Sequence, residues 1–240
     1  MSPAMVSRRD PPASPIPRGA AEHSAVEDQK RAAALAAAEL VAAGARVGLG
    51  TGTTAAHLLP ALAARGLHGL RCVATSPATE RAARALGFTV VELDALDALD
   101  IAIDGADQID PRGWLIKGKG AAHTREKIVA AAARRFVVIA SAEKAVSELA
   151  PPVPVEILPF GSHTTLDAIA PTRLRNAPPS PDGNLIADYL GAVEDPQRVS
   201  SWLSGIPGVV EHGLFPPSLV SDILIAHDDG VEHRHGGKRL

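Results

Sequence analysis

The sequence predicts an α/β fold: a parallel, doubly wound sheet with a smaller α+β domain attached. Three observations predict it. Short apolar runs alternate with helix-forming stretches from residue 27 to 150, the spacing of βαβ units. Glycine- and aspartate-rich loops follow the apolar runs, where an open parallel sheet keeps its ligands. Prolines then crowd "PPVPVEILPFG" (151–161), and the alternation gives way to a mixed region up to about residue 212.

In chain order, "EDQKRAAALAAAELVAAG" (27–44) is rich in strong helix formers and ends at Gly44. "ARVGLG" reads as a strand feeding "TGTTAAHLLPALAARG", a loop then a helix. "LRCVATS" (70–76) is a second strand and "PATERAARALG" a second helix, with Pro77 near its start. "TVVEL" and "LDIAID" supply two more strands, "TREKIVAAAARR" a helix, "FVVIAS" (136–141) a strand and "AEKAVSELA" a short helix. Residues 151–161 read as a linker, "NAPPSPDGN" as a turn, "DPQRVSSWLSG" as a helix and "SDILIAHDDG" (221–230) as a strand returning to the first sheet. The expected organisation is a disordered leader over 1–27 and a main domain over 28–150 plus 213–230. A small α+β domain over 151–212 and a polar tail over 231–240 complete it. The two tail histidines read as solvated, with adventitious metal binding the lesser reading.

At 240 residues the chain can bury one sizeable core, or one main domain with a smaller one. Apolar residues make up 46% and charged ones 21%, the balance of a globular protein. A net charge of −3 gives no basic surface for nucleic acid, and 3% aromatics leave little for stacking bases. No apolar run is long enough for a membrane span, and the start lacks the apolar centre of a secretion signal. The single cysteine, Cys72, excludes an internal disulfide and reads as a small buried side chain; the expected compartment is the cytoplasm.

Two loops at strand ends carry candidate chemistry. In "GLGTGTT" (48–54), Gly50, Thr51, Gly52, Thr53 and Thr54 lie between a strand and a helix, where backbone N–H groups and hydroxyls suit a phosphate. Thr53 takes the last place of a G-x-G-x-x-G pattern and no Gly-Lys-Ser/Thr follows. That argues against a dinucleotide or a nucleoside triphosphate and leaves a small phosphorylated metabolite. A tight turn that needs glycine explains the stretch equally well.

The second loop is "DGADQIDPRGWLIKGKGAAHTREK" (104–127). Asp104 ends an apolar run, where a carboxylate enters the ligand crevice, and Asp107 follows; Asp110, before proline, reads as a turn residue. The spacing misses a calcium loop and His123 is the only nearby nitrogen ligand, so no metal is expected. Glu126 opens a helix, where an acid usually just complements the dipole. Its company raises the functional reading: Lys117, Gly118, Gly120, two aspartates and the phosphate-type loop converge on one sheet edge. A carboxylate base beside a cation is what proton abstraction α to a carbonyl requires. Lys30 and Lys144, taken alone, read as solvated surface.

Together these stretches resemble ribose-5-phosphate isomerase of the A type. "GLGTGTT", "IDGADQID", "LIKGKGAAHTREKIVA", "FVVIASAEK", "VPVEILPFG" and "IPGVVEHGLF" stand in the family's order from about residue 28 to 230. DGAD combined with K-G-x-G-x5-E is far more specific than a lone glycine loop. The resemblance implies a Rossmann-like domain with a smaller α+β domain, assembled as dimers or tetramers. It also implies a cofactor-free isomerase that interconverts ribose 5-phosphate and ribulose 5-phosphate through an enediolate. Under it, Glu126 is the base between C2 and C1, and Asp104 serves ring opening. Asp107 and Lys117 hold and polarise the reacting oxygens. Thr53, Thr54, Lys30 and Lys144 bind the phosphate, which reverses the plain reading of the two lysines. "ATSPATE" (74–80) corresponds to a second substrate loop.

Three departures bear on substrate identity. Gln108 stands where the family usually has glutamate, Lys119 replaces a glycine beside Lys117, and residues 162–182 match weakly. The alternatives are an isomerase for another sugar phosphate and a non-catalytic sugar-phosphate sensor. The joint presence of Glu126, Asp104, Asp107 and Lys117 favours catalysis over sensing.

Overall fold

A computed structural model describes residues 18–238. Helix α1 (Arg18–Ala38) starts earlier than expected, so the second half of the anticipated leader is partly helical; residues 1–17 lie outside the described part. It also stops short of Gly44, because its end tightens into i→i−3 bonds from Leu40 N to Ala37 O and from Val41 N to Ala38 O. Strand β1 (Arg46–Leu49), helix α2 (Thr53–Ala64), strand β2 (Arg71–Ala74) and helix α3 (Pro77–Ala85) follow as the apolar pattern demands. Strand β3 keeps only Thr89–Val90 before the chain turns, and β4 (Leu99–Gly105) is the long buried run ending at the aspartate loop.

The loop holds a hairpin the sequence did not advertise, β5 (Gln108–Ile109) and β6 (Leu115–Ile116). Helix α4 (His123–Ala132) ends before the predicted residue 135, since Ala133 turns extended and opens β7 (Ala133–Ser141), where Arg135 already pairs with Ile101. The helix expected over 142–150 shrinks to one 3-10 turn at Ala142–Lys144. Val146 N donates to Ile109 O (2.9 Å), drawing the chain out along the hairpin instead.

The expected linker is strand β8 (Val153–Ile157), fully buried. After it come α5 (Ser162–Ala168), β9 (Thr172–Leu174), β10 (Leu185–Tyr189), α6 (Pro196–Ser204), β11 (Val209–His212) and β12 (Leu214–Phe215). The chain closes with β13 (Asp222–His227) and β14 (Gly230–His235). Residues 231–235 of the expected polar tail are therefore an edge strand with largely exposed side chains, held to β13 from Asp222–His235 through His227–Gly230; residues 239–240 lie outside the described part.

The main sheet runs β14-β13-β7-β4-β1-β2-β3, parallel except for β14. An antiparallel sheet, β11-β8-β10-β9, draws its strands from residues 153–212, and β12-β6-β5 joins the two regions. One face of the main sheet packs Val47, Leu49, Ile103 and Val137 under α1 and α2; the other packs Ala102, Phe136 and Val138 with Val129 of α4. From β1 the chain moves outward to β2, then crosses back to β4 on β1's other side. The carboxyl ends of β1 and β4 thus form the switch point at which open α/β sheets bind ligands.

Candidate functional site

Asp104 sits at the carboxyl end of β4, buried beneath the loop that follows β1. Its Oδ1 accepts hydrogen bonds from Thr51 N (3.1 Å) and Gly105 N (2.7 Å). Gly50 makes this possible: a Cβ there would lie 2.0 Å from Asp104 Oδ1, inside any allowed contact. Gly50 N donates to Ile103 O, so this glycine supplies room for the carboxylate and lies outside the cavity, unlike its expected place in a phosphate cradle.

Lys117 follows β6 and is 3% exposed along its side chain. Its Nζ donates to Gly105 O (2.6 Å) and stands 3.0 Å from both Asp104 Oδ2 and Glu126 Oε2. Burial alone would lower the Lys117 pKa, but the two carboxylates outweigh it and hold the ammonium charged. Glu126 lies one turn into α4, its N–H donating to Ala122 O. Burial, then the charge of Asp104, pushes its pKa up to about 8 against the opposing pull of Lys117. Asp104 is raised too, chiefly by burial. The arrangement is one cation shared by two carboxylates, both pushed above the usual carboxylate range.

Two local devices hold the loop between Lys117 and Glu126. Gly118 takes φ +109 and packs on the buried His123, whose Nδ1 a Cβ would approach to 2.7 Å. Ala121 adopts φ +60, a left-handed conformation that costs a non-glycine residue about 1–2 kcal/mol. Asp107 Oδ2 accepts from Lys119 N (3.0 Å), closing the same loop from the other side.

These groups open onto a cavity of about 430 Å³. Asp107, Lys117 and Glu126 line it, with Gly118 and Gly120 in its wall; Gly52, Thr53 and Thr54 bring the first turn of α2 to the same cavity. The leading N–H groups of that helix have no intrahelical acceptor, which suits an anion. Lys30 and Lys144 line the same cavity, each resting on a carboxylate: Lys30 on Glu27 at 2.6 Å and Lys144 on Glu143 at 3.3 Å. Thr51 also lines it, but its hydroxyl bonds Thr75 Oγ1 (2.8 Å) and its N–H is given to Asp104. The 74–80 stretch supports the loop in the same way, Thr79 Oγ1 donating to Gly50 O (3.0 Å).

Two of the three departures, Gln108 and Lys119, have visible roles. The Gln108 amide donates to Ala150 O and accepts from Ala150 N, both at 2.8 Å, a pairing glutamate could not complete. Lys119 holds Asp107 through its backbone, while its side chain is exposed at the cavity mouth. Asp110 is the turn residue expected, accepting from Arg112 N and Trp114 N. Cys72 is buried, with its thiol pushed up to about 11 by burial.

Two supporting residues escaped the sequence reading. Arg175 grips Asp188 through Nε (3.0 Å) and Nη2 (2.7 Å) and donates from Nη1 to Gly118 O and Lys119 O. Glu156, fully buried on β8, accepts from Thr124 Oγ1 of α4 (2.5 Å), Ser180 Oγ (2.6 Å) and Asn184 Nδ2 (2.8 Å). Neither has a local signal, since their partners lie far away in sequence.

Residues 71–230 match the family model of ribose 5-phosphate isomerase A (phosphoriboisomerase A). The ribose-5-phosphate isomerase A of Caulobacter vibrioides is 47% identical over 220 residues, covering 85% of this chain and 96% of the relative. The crystal structure of ribose 5-phosphate isomerase A from Neisseria gonorrhoeae superposes with a TM-score of 0.84 at 30% identity, over 88% of this chain and 97% of that one. A structure of D-ribose-5-phosphate isomerase in complex with phospho-erythronic acid gives 0.83 at 32% identity, over 88% and 99%.

Proposed function

This chain belongs to the ribose 5-phosphate isomerase A family and interconverts ribose 5-phosphate and ribulose 5-phosphate, and we propose that Glu126 is the base of that reaction. The observation that carries the assignment is the position of Glu126 against Lys117, 3.0 Å away at the wall of a cavity rimmed by a helix N-terminus and two lysines. In the aldose-to-ketose direction a proton leaves C2 and returns at C1, while a hydroxyl proton passes from O2 to O1. Atoms and electrons balance within the sugar, so the reaction calls for no redox partner. A base with a pKa near neutrality both takes and returns that proton efficiently.

The negative charge that develops on O1 and O2 needs a fixed counter-charge, and the Lys117 ammonium is assigned to it. Asp107, half-buried at the cavity wall, is assigned to holding the sugar hydroxyls. Asp104, behind Lys117, is assigned to ring opening. The phosphate is assigned to Thr53, Thr54 and the free N–H groups of α2, with Lys30 and Lys144 leaving Glu27 and Glu143 to pair with it. The relative solved with phospho-erythronic acid supports a phosphorylated, anionic occupant.

Purified protein assayed with ribose 5-phosphate tests the reading. Turnover should be robust in the wild type and fall about 10²–10⁴-fold in Glu126→Gln. Full turnover in that variant would remove Glu126 from the role of base.

No helix among the described residues is long and apolar enough to cross a membrane. The single cysteine, Cys72, which leaves no internal disulfide, is what supports action in the reducing cytoplasm. Assembly as a homo-oligomer is supported by Leu158 and Phe160, large apolar side chains two residues apart left 45% and 93% exposed, and light scattering on Phe160→Ser would test it.

A further inference from the structure

At the opposite end of the main sheet from the catalytic cavity, β14 lays two imidazoles beside a buried carboxylate. His233 and His235 are two residues apart on the edge strand and so share one face. Asp222 opens β13 directly across from His235 and is 2% exposed. Its Oδ1 is 2.6 Å from His233 Nε2 and 3.4 Å from His235 Nδ1. The two rings lie 4.7 Å apart between centroids. The active-site aspartate stands at the carboxyl end of β4, whereas Asp222 stands at the amino end of β13, parallel to it in the same sheet.

We propose that Asp222, His233 and His235 form a binding site for a zinc-class divalent transition metal that staples β14 onto β13. One ligand atom from each lies within 4.8 Å of the other two. Zinc bonds of about 2.0–2.2 Å place tetrahedral ligands roughly 3.3 Å from one another. Asp222 Oδ1 and His233 Nε2 must open from 2.6 Å while the widest pair closes, and the two histidine side chains are free to adjust because both are exposed. Two neutral imidazoles and a carboxylate are a donor set for zinc, nickel or copper rather than for magnesium or calcium. Water completes the coordination on the open side.

The carboxylate is already aimed. Arg135 Nε, on β7, bonds Asp222 Oδ2 at 2.6 Å, which fixes the group and leaves Oδ1 turned toward the imidazoles. Outer partners of this kind orient metal ligands in built sites. Only Asp222 falls inside the family-matched segment, which ends at residue 230, before both histidines. None of the three residues has a part in the isomerase reading, so the proposal is independent of it. Edge strands pair on one side only, and a metal clip across the last pair supplies what the missing neighbour does not.

The test uses the full chain, stripped with a chelator and titrated with zinc chloride by calorimetry and thermal melting. One equivalent should bind saturably and raise the melting temperature, as any ligand of the folded state alone must. Magnesium chloride should do neither. His235→Ala, a change at an exposed ring, should weaken zinc by at least the roughly 10–100-fold that loss of an outer partner costs. His163→Ala, at an exposed histidine elsewhere, should leave it intact. No saturable zinc binding, or binding undiminished in His235→Ala, overturns the proposal. In that outcome the Asp222–His233 contact is a hydrogen bond and nothing more.

Discussion

Lys117 Nζ stands 3.0 Å from Glu126 Oε2 and 3.0 Å from Asp104 Oδ2, so a single buried ammonium serves two buried carboxylates. The cluster carries one net negative charge when all three groups are ionised, and burial resists that state. Part of the strain is relieved by protonating Glu126, which is why the glutamate titrates so far above an ordinary carboxyl. The same pressure that destabilises the charged base makes it useful: a glutamate with a pKa near 4.5 would be a poor acceptor for a carbon-bound proton.

The first expectation is a pH limb. The reactive form of Glu126 is the carboxylate, so kcat/KM should rise with pH toward a plateau above about 8. Asp104→Asn removes the charge that, after burial, raises that pKa most, so the limb should move to lower pH. A limb that stays in place in Asp104→Asn would detach it from this pair. Stability runs the other way. Across the window from about 4.5 to about 8 the folded state keeps a proton the unfolded state has lost, so this group's contribution declines as pH rises.

Replacing Lys117 by methionine leaves two carboxylates buried without a counter-ion. Breaking a buried pair in this way typically costs about 3–5 kcal/mol. At roughly 2–4 °C per kcal/mol for a chain of this size, the midpoint of thermal unfolding should drop by some ~6–20 °C at neutral pH. The drop should shrink in mild acid, where the orphaned carboxylates take up protons. Circular dichroism melts at two pH values measure both effects.

Lys30 and Lys144 make a separable prediction. If they bind phosphate, Lys30→Gln and Lys144→Gln should raise KM for ribose 5-phosphate and leave the slow turnover of unphosphorylated ribose unchanged. A charge-assisted hydrogen bond is worth about 1.5–3 kcal/mol, so the loss per lysine should be of order 10–10²-fold in kcat/KM. An equal loss on ribose would mean that the lysines act on the fold or the chemistry rather than the phosphate.

Much of the catalytic loop was readable because its chemistry is written locally. An apolar run ending in Asp104 announces a strand that delivers a carboxylate to a sheet edge, and K-G-x-G-x5-E fits a loop and a first helical turn. β8 was not readable, since Pro152, Pro154 and Pro159 mask the alternation of Val153, Val155 and Ile157 that buries it. β14 was hidden for the opposite reason. An edge strand needs only one paired side, so charged and histidine side chains are tolerated along it and look like a solvated tail. Glu156 and Arg175 belong to a third class, because only the completed fold brings β8 against α4 and Arg175 against the Lys117 loop.

Gly50 yields a steric prediction. Gly50→Ala would set a methyl group 2.0 Å from Asp104 Oδ1, and Asp104 is bracketed by Thr51 N, Gly105 N and Lys117 with nowhere to retreat. Overpacking of this kind costs typically ~1–3 kcal/mol, and the displaced carboxylate should carry Lys117 with it. Both stability and turnover should therefore fall. A variant that melts like the wild type and keeps its activity would show that the loop after β1 adjusts more freely than these contacts allow.

The last prediction concerns Arg175, which reaches the active-site loop from outside the main sheet. Its fork is fixed on Asp188, and its remaining donors close on the carbonyls of Gly118 and Lys119, directly beyond Lys117. Lysine at this position keeps the charge but cannot grip Asp188 twice while also holding two carbonyls. Arg175→Lys should therefore loosen the loop and let the ammonium of Lys117 drift relative to Glu126. Misplacement by about 1 Å can cost up to ~10²-fold in rate, and the loss should fall on kcat, since Thr53, Thr54, Lys30 and Lys144, to which the phosphate is assigned, are untouched. Because Arg175 touches neither carboxylate, the pH limb set by Glu126 should keep its midpoint. A shifted midpoint with unchanged kcat would instead make Arg175 part of the electrostatic environment of the base, and the positioning role would be withdrawn.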